Sequence, residues 1–376
     1  MAPVAAPTDV TSPPSNECRL EPPGGVVMVA HRSQPRLAVG VHGAILWHGL
    51  ERADSYGHSP DYPCAANPAA IRFTTLTDRA DIVPIGEGLC NSDRRDGDFV
   101  VLHVDGDAGL LECAAPGTAN ALCTVRAPFS PEVDGLSLRP PRTVDSGLSF
   151  RAAGRDGTVF LVTPSHNALF AWVLRRGAPV AHGTLVPDLR ALGIDPSNIT
   201  PLRIDPRSAT EATVTLVDYY GHAARVTLGA HGEATEPAHA VTLHDVPVPL
   251  EFSTQMAEGR GSLVMRTANG SWHPIEGLDA TQSRTDPASL LINDVALSSW
   301  TEGERGHERV RLGWFDAARG TLLGEPIWIG GDGVRAASAS LAHHALYILV
   351  AWDQADADGW SIRAAELHCR PPGGSH

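Results

Sequence analysis

The feature that most constrains this chain is a recurring hairpin. The runs "DFVVLHVDGDAGLLEC", "TVFLVTPSHNALFAWV", "ATVTLVDYYGHAARVTL", "GSLVMRTANGSWHPI", "ERVRLGWFDAARGTLLG" and "LYILVAWDQADADGWSIRAAEL" mostly share one plan. An alternating apolar strand meets a polar turn rich in Gly, Asp or Asn, and a second alternating strand follows. The runs begin at Asp98, Thr158, Ala212, Gly261, Glu308 and Leu346, a spacing of about 50 residues. Shorter strands precede several of them: "LSFRAA", "PLRID", "LEFSTQ", "VALSSW" and "ASASLA". One more unit fits upstream, with "RLAVGVHGAILWHGL" as its hairpin and "IRFTTL" after it. Helix signals are poor; "PDLRALGI" reads as a helical turn and "HNALFAWV" as strand.

Seven units of three or four short strands specify an all-β chain, and a single seven-bladed β-propeller of mainly four-stranded antiparallel blades fits best. A four-stranded blade has two apolar faces and cannot bury them alone. Packing blades around an axis buries both and leaves only short edges. The small residues of "ASASLA" and "FRAA" suit the crowded axis. A pair of β-sandwiches or a β-solenoid is the alternative. The last unit lacks a fourth strand, and a spare one, "GVVMVAHR" (25–32), lies at the other end. If the spare strand completes the last blade, the ring closes. The expected organisation is a Pro-rich flexible tether over 1–24, the propeller over 25–372 and a disordered tail over 373–376.

The six cysteines, Cys18, Cys64, Cys90, Cys113, Cys123 and Cys369, form no C-x-x-C pair, which excludes zinc-ribbon and thioredoxin-like sites. An even, dispersed set suits three disulfides in an oxidising compartment, although reduced buried thiols in a cytosolic protein remain open. Cys113 with Cys123 reads as a hairpin staple and Cys64 with Cys90 as a loop tie. That leaves Cys18 with Cys369 to clasp the two ends. The net charge of −14 argues against nucleic acid or an anionic membrane surface as partner. All 29 basic residues are arginine, which excludes a P-loop lysine and a Schiff-base lysine. No run approaches the roughly 20 apolar residues of a membrane helix. The first residues have neither a basic nor an apolar segment of a signal peptide. The disulfide reading expects an extracytoplasmic location, which such a start fits only in a mature or trimmed form. A monomer is expected.

The phrase "LYILVAWDQADADGWSIRAAEL", with "VALSSWTEGERGHERVRLGWFDAARGTLLGEPIWI" before it, resembles the repeats of secreted bacterial β-propellers. In those a "LVAW-D" strand, a Gly/Asp loop and an "I-A---L" strand recur. The resemblance covers about the last 85 residues and implies fold rather than activity. Propellers of this kind include adhesins, receptors, lipoproteins and enzymes, so function rests on sites.

The chain carries no G-x-S-x-G, H-E-x-x-H, G-x-G-x-x-G or S-x-D-x-G-x-x-W signature. Asp353, Asp356, Asp358 and Gly359 resemble a calcium loop, D-x-D-x-D-G. The first Asp stands one position early and the downstream acid is missing. An ordinary Asp-Gly turn is the competing reading. No cofactor is expected, with calcium the one left open. Seven histidines fall one per unit: His42, His103, His166, His222, His273, His307 and His343. Of these, His103, His166, His222 and His273 are read as lying in or beside turns between second and third strands. That puts them on one rim rather than around a metal at the axis. Trp47, Trp172, Trp314, Trp328 and Trp352 read as packing between blades. Trp272 and Trp360 sit by polar turns, where they can stack on a ligand or serve as partly buried structural residues.

The expected function is an extracytoplasmic, non-enzymatic propeller that binds a carbohydrate or protein ligand, or acts as a scaffold. His166, His222, His273, Trp272 and Trp360 would form its binding rim. The alternative is a propeller enzyme, a polysaccharide hydrolase or lyase or a metal-dependent oxidase, with its site assembled from several blades.

Overall fold

The computed structural model describes residues 18–21, 28–29, 35–48, 69–72, 81–84, 99–114, 122–140, 151–165, 168–185, 189–195, 200–218, 220–242, 251–257, 260–266, 272–275, 277–278, 284–292, 295–304, 306–329, 334–344, 347–356 and 359–369. Among these, the strands group into seven blades. Two short strands, β1 (Cys18–Glu21) and β2 (Met28–Val29), come first. Blade 1 is β3 (Pro35–Val39), β4 (Gly43–His48), β5 (Ala69–Arg72) and β6 (Asp81–Pro84). Blade 2 is β7 (Phe99–Val104), β8 (Asp107–Ala114), β9 (Leu122–Arg126) and β10 (Ser137–Leu138). Blade 3 is β11 (Arg151–Arg155), β12 (Thr158–Ser165), β13 (Ala168–Arg175) and β14 (Ala181–Leu185). Blade 4 is β15 (Thr200–Ser208), β16 (Glu211–Val217), β17 (Ala223–Leu228) and β18 (His239–Val241). Blade 5 has β19 (Glu251–Ala257), β20 (Arg260–Arg266) and β21 (Trp272–Pro274). Blade 6 is β22 (Arg284–Ile292), β23 (Val295–Glu302), β24 (Arg309–Asp316) and β25 (Leu322–Ile329). Blade 7 is β26 (Ala336–His344), β27 (Tyr347–Asp356) and β28 (Gly359–Cys369), completed by β1 and β2. A 3₁₀ turn at Arg190–Leu192 falls inside the stretch read as a helical turn.

The first strand of each blade lies innermost. These strands pack on one another from blade to blade: β11 between β7 and β15, β22 between β19 and β26, and β26 against β3. The last contact joins the two ends of the chain into a ring. Alternation along each strand explains the burial, because successive side chains enter opposite faces. Leu37, Val39, Ala44 and Leu46 pack into blade 7 beside Ala351 and Ile362. Ala38, Ile45 and Trp47 enter the opposite face, against Ala108 and Leu110 of blade 2. The same sharing recurs between blades 2 and 3, 3 and 4, 5 and 6, and 6 and 7. Trp300, Trp314 and Phe315 are fully buried in these layers.

Close approach of first-to-second-strand turns locks the ring at one end. A Cβ on Gly40 would stand 2.4 Å from the Ala108 nitrogen, so only glycine lets the blade 1 turn reach blade 2. There Val41 N–H donates to the Gly106 carbonyl at 3.2 Å. Gly154 plays the same part against Val104, and a single parallel bridge between them joins blades 2 and 3 into one eight-stranded sheet.

Ring closure uses the segment the sequence reading chose and an earlier one as well. Strand β1 pairs with β28 in the register Cys18↔Cys369 through Glu21↔Glu366, while Met28 and Val29 pair lower on the same strand, with Ile362 and Ser361. Pairing thus begins inside the stretch expected to be a tether. The blade count matches the expectation, but the phase slips. "VALSSW" is the second strand of blade 6, not its first. The true inner strand, "RTDPASLLI", carries a bulge between Thr285 and Ala288, and its Asp-Pro hides the alternation. "ERVRLGWFDAARGTLLG" is accordingly a third-to-fourth hairpin, and "DFVVLHVDGDAGLLEC" a first-to-second one.

The staple is present: Cys113 and Cys123 are cross-strand partners and are disulfide-bonded. Cys64 and Cys90 lie outside the described residues, as do the side chains of Cys18 and Cys369.

Candidate functional site at the second-to-third-strand rim

In every blade the second strand ends and the third begins at the same end of the ring. Blade 4 shows how the sequence builds such a connection. After β16, Asp218 turns inward and its side chain is fully shielded from solvent. Its carboxylate accepts the backbone N–H groups of Tyr220 at 2.9 Å and His222 at 2.8 Å, and Nδ1–H of His222 at 3.0 Å. It also accepts the N–H of Asp195, from the segment entering blade 4, at 3.3 Å. Burial alone would raise the Asp218 pKa, but the hydrogen bonds from His222 and Asp195 and the charge of His222 outweigh it, and the net shift is downward. An ionised carboxylate only accepts, so Nδ1 of His222 carries the proton, and Nε2 is an acceptor in the neutral ring. His222 is 58% exposed and Tyr220 is 70% exposed, with ring centroids 6.3 Å apart. The loop thus holds two exposed rings on a buried anchor.

Blades 6 and 7 form a second polar cluster at this end. Glu308 is buried and accepts Arg335 Nε at 2.8 Å and Gly306 N–H at 2.9 Å. The Arg335 guanidinium stands 4.9 Å from the centroid of Trp360, so this half-buried ring takes a cation on one face. Nearer the axis, buried Arg284 donates to Glu302 at 3.1 Å, and Trp300 Nε1–H donates to the same oxygen at 3.2 Å. Asp286 and Ser338, on adjacent inner strands, both adopt positive φ, and the Ser338 hydroxyl donates to Asp286 at 3.1 Å. A non-glycine residue there is strained by about 1–3 kcal/mol.

The residues expected at the rim fare differently. His222 and Trp360 are there as described. His273 is exposed at the start of the third strand of blade 5, opposite Met265. Trp272 pairs with Arg266 in the same strand. His166, Asp358 and the side chains of Trp272 and Asp356 lie outside the described residues. Asp353 is buried within β27. His103 belongs to the opposite end, one residue from the first-to-second-strand turn of blade 2. His42 is at that end too. It donates to Asp107 from its backbone N–H and Nδ1, both at 2.9 Å, repeating the Asp218–His222 geometry between blades 1 and 2. Trp328 is not a blade-packing residue; it lies half-buried on the outer strand beneath Arg309 and Arg311, at 3.9 and 4.0 Å. Sequence reasoning missed Tyr220, Arg335 and Glu308. The D-x-x-x-H spacing from Asp218 to His222 was the available signal.

No protein-family model matches the chain. No curated protein matches it either. Among solved structures it is similar to a subtype N11 neuraminidase-like protein of A/flat-faced bat/Peru/033/2010 (H18N11), at 11% identity and TM-score 0.39 over 96% of this chain and 95% of that one. It is also similar to the GH43_1 enzyme from Xanthomonas citri, at 10% identity and TM-score 0.29 over 93% and 90%. A third is Trypanosoma rangeli sialidase in complex with the inhibitor DANA, at 10% identity and TM-score 0.36 over 94% and 60%. Likenesses this distant carry no argument about activity. The propeller assignment stands on the strand pairing, which gives seven blades, and on the packing of β26 against β3.

Proposed function

We propose that this chain is an extracytoplasmic binding propeller that takes a carbohydrate on its second-to-third-strand rim. One observation carries the reading: Tyr220 and His222 are exposed, and the backbone of both and the His222 ring are held by a buried carboxylate with four donors. Pre-ordered aromatic and imidazole groups give a flat stacking surface with a hydrogen-bonding edge at little entropic cost. Trp360 under Arg335 and the exposed His273 add comparable groups on blades 7 and 5. Three buried carboxylates at this end are engaged as acceptors, which supports binding over turnover: Asp218 by backbone and His222, Glu302 by Arg284 and Trp300, Glu308 by Arg335. The Cys113–Cys123 bond supports an oxidising compartment.

The test is a neutral-glycan and peptide array probed with the full chain, followed by Tyr220→Ala, His222→Ala and Trp360→Ala. The reading expects a glycan hit weakened at least tenfold by Tyr220→Ala. A hit confined to peptides, or a glycan hit indifferent to all three changes, would overturn it.

A further inference from the structure

The inner strands are basic in an acidic protein. As bounded above, they carry six arginines (Arg36, Arg151, Arg155, Arg203, Arg207, Arg284) against Glu251, Asp205 and Asp286, while the whole chain has a net charge of −14. Three of the arginines share one level of the bore. Arg36 lies three pairs above the last pair of its hairpin, Val39↔Ala44. Arg151 lies four pairs above Arg155↔Thr158, and Arg203 four above Ser208↔Glu211. On blades 5, 6 and 7 the same level carries Thr254, Ser289 and Ser340, three, three and four residues above their last pairs, and on blade 2 it carries Val101. A strand rises about 3.3 Å per residue, so these positions agree in depth to within about one residue.

Exposure tells where these side chains go. Both faces of an inner strand are covered by neighbouring blades, so an exposed residue within one faces the bore. Arg36, Arg151 and Arg203 are exposed, whereas Leu37, Ala38 and Val39 beside the first are buried. Arg203 is bonded to Asp205, two residues nearer the turn, and Arg284 to Glu302. We infer that the bore is an anion-binding collar, with guanidinium groups from blades 1, 3 and 4 and hydroxyls from blades 5, 6 and 7 receiving an oxyanion. Guanidinium presents forked donors that match phosphate, sulfate or carboxylate, and the enclosed bore strengthens the attraction over that of an open surface. The shared chemistry is the oxyanion, which can be a free ion or the charged group of an acidic sugar.

The experiment is calorimetric titration of the full chain with sodium phosphate, with trigalacturonate and with neutral galactotriose. The inference expects phosphate or trigalacturonate to bind, with affinity falling as sodium chloride rises. Phosphate binding identifies a free ion, and binding of trigalacturonate alone identifies a carboxylated sugar. Arg36→Gln, Arg151→Gln and Arg203→Gln should each weaken binding about tenfold and together abolish it. Arg319→Gln, on an exposed outer turn, should leave it unchanged. Absence of binding by both anions, or binding untouched by the triple change, would overturn the inference. If the triple variant does not fold, the wild-type chain decides: its melting temperature should rise in phosphate over sodium chloride at matched ionic strength, and equal midpoints would overturn it. Galactotriose alone reports on the rim, so failure there is distinct from failure here.

Discussion

Replacing Asp218 by alanine tests how the rim is held. The change removes the acceptor of four donors, at 2.8 to 3.3 Å. Hydrogen bonds to a charged group are worth about 1.5–3 kcal/mol each when no water can replace the partner. Tyr220 and His222 are exposed, so water reaches them once the loop relaxes, and most of their share returns. The lasting cost is the tie between Asp195 and the loop plus the lost pre-ordering, about 2–3 kcal/mol in all. A chain of 376 residues unfolds with an entropy near 0.8 kcal/mol per degree, at about 2.1 cal/mol/K per residue. The melting temperature should therefore fall by about 2.5–4 °C at pH 7 in scanning calorimetry. Asp218→Asn retains one accepting oxygen and should lose about half as much. The pH dependence is fixed in sign. The folded Asp218 pKa lies below the ordinary 3.8, so its stabilisation is complete above that value and is lost as pH falls through the folded one. The gap between wild type and Asp218→Asn should close under acid conditions, below about pH 3.8. A melting temperature unchanged by Asp218→Ala at pH 7 would refute the anchor, and so would a gap that widens in acid.

Gly40→Ala should cost about 2 kcal/mol or more by thermal melting, because its Cβ would meet blade 2 backbone; Gly177→Ala, with open space around a positive φ, should cost only about 1 kcal/mol, and equal losses would contradict the interlock. Trp300→Ala should destabilise by about 3–5 kcal/mol through the cavity between blades 5 and 6 and the loss of one donor to Glu302, read by urea unfolding. Removing residues 1–32 deletes β1 and β2 and leaves the β28 edge unpaired. The product should melt lower and aggregate through that edge, whereas an unchanged melting temperature would count against closure at this strand.

The sequence made the blades legible because hairpin alternation and turn residues are local signals. Seven hairpins could be counted without knowing which strands each contained. That phase was not legible, since a period of two looks alike in every strand of a blade. His103 was assigned to the wrong end for this reason: its hairpin joins first and second strands rather than second and third. The inner strand of blade 6 was missed because a bulge at Asp286-Pro287 breaks its pattern. Site residues depended on the same phase. His222 was recognisable from its turn, but its anchor Asp218 also holds Asp195, in blade 4's entry segment 23 residues earlier. The level shared by Arg36, Arg151 and Arg203 appears only when their hairpins are registered, because it is a property of depth in a ring and not of spacing in a chain.

The central claim is that one ring is closed by pairing the two ends of the chain. Cys18 stands directly opposite Cys369 in the β1–β28 register, the same relation that Cys113 and Cys123 have where they are bonded. A bond there would close a loop of some 350 residues, for which chain entropy predicts about 5 kcal/mol of stabilisation. Proteolysis under non-reducing conditions, followed by mass spectrometry, reads it directly. The account predicts that the peptide containing Cys18 is recovered joined to the peptide containing Cys369, and that reduction releases both. Recovery of Cys369 as a free thiol, or joined to Cys64 or Cys90, would contradict it.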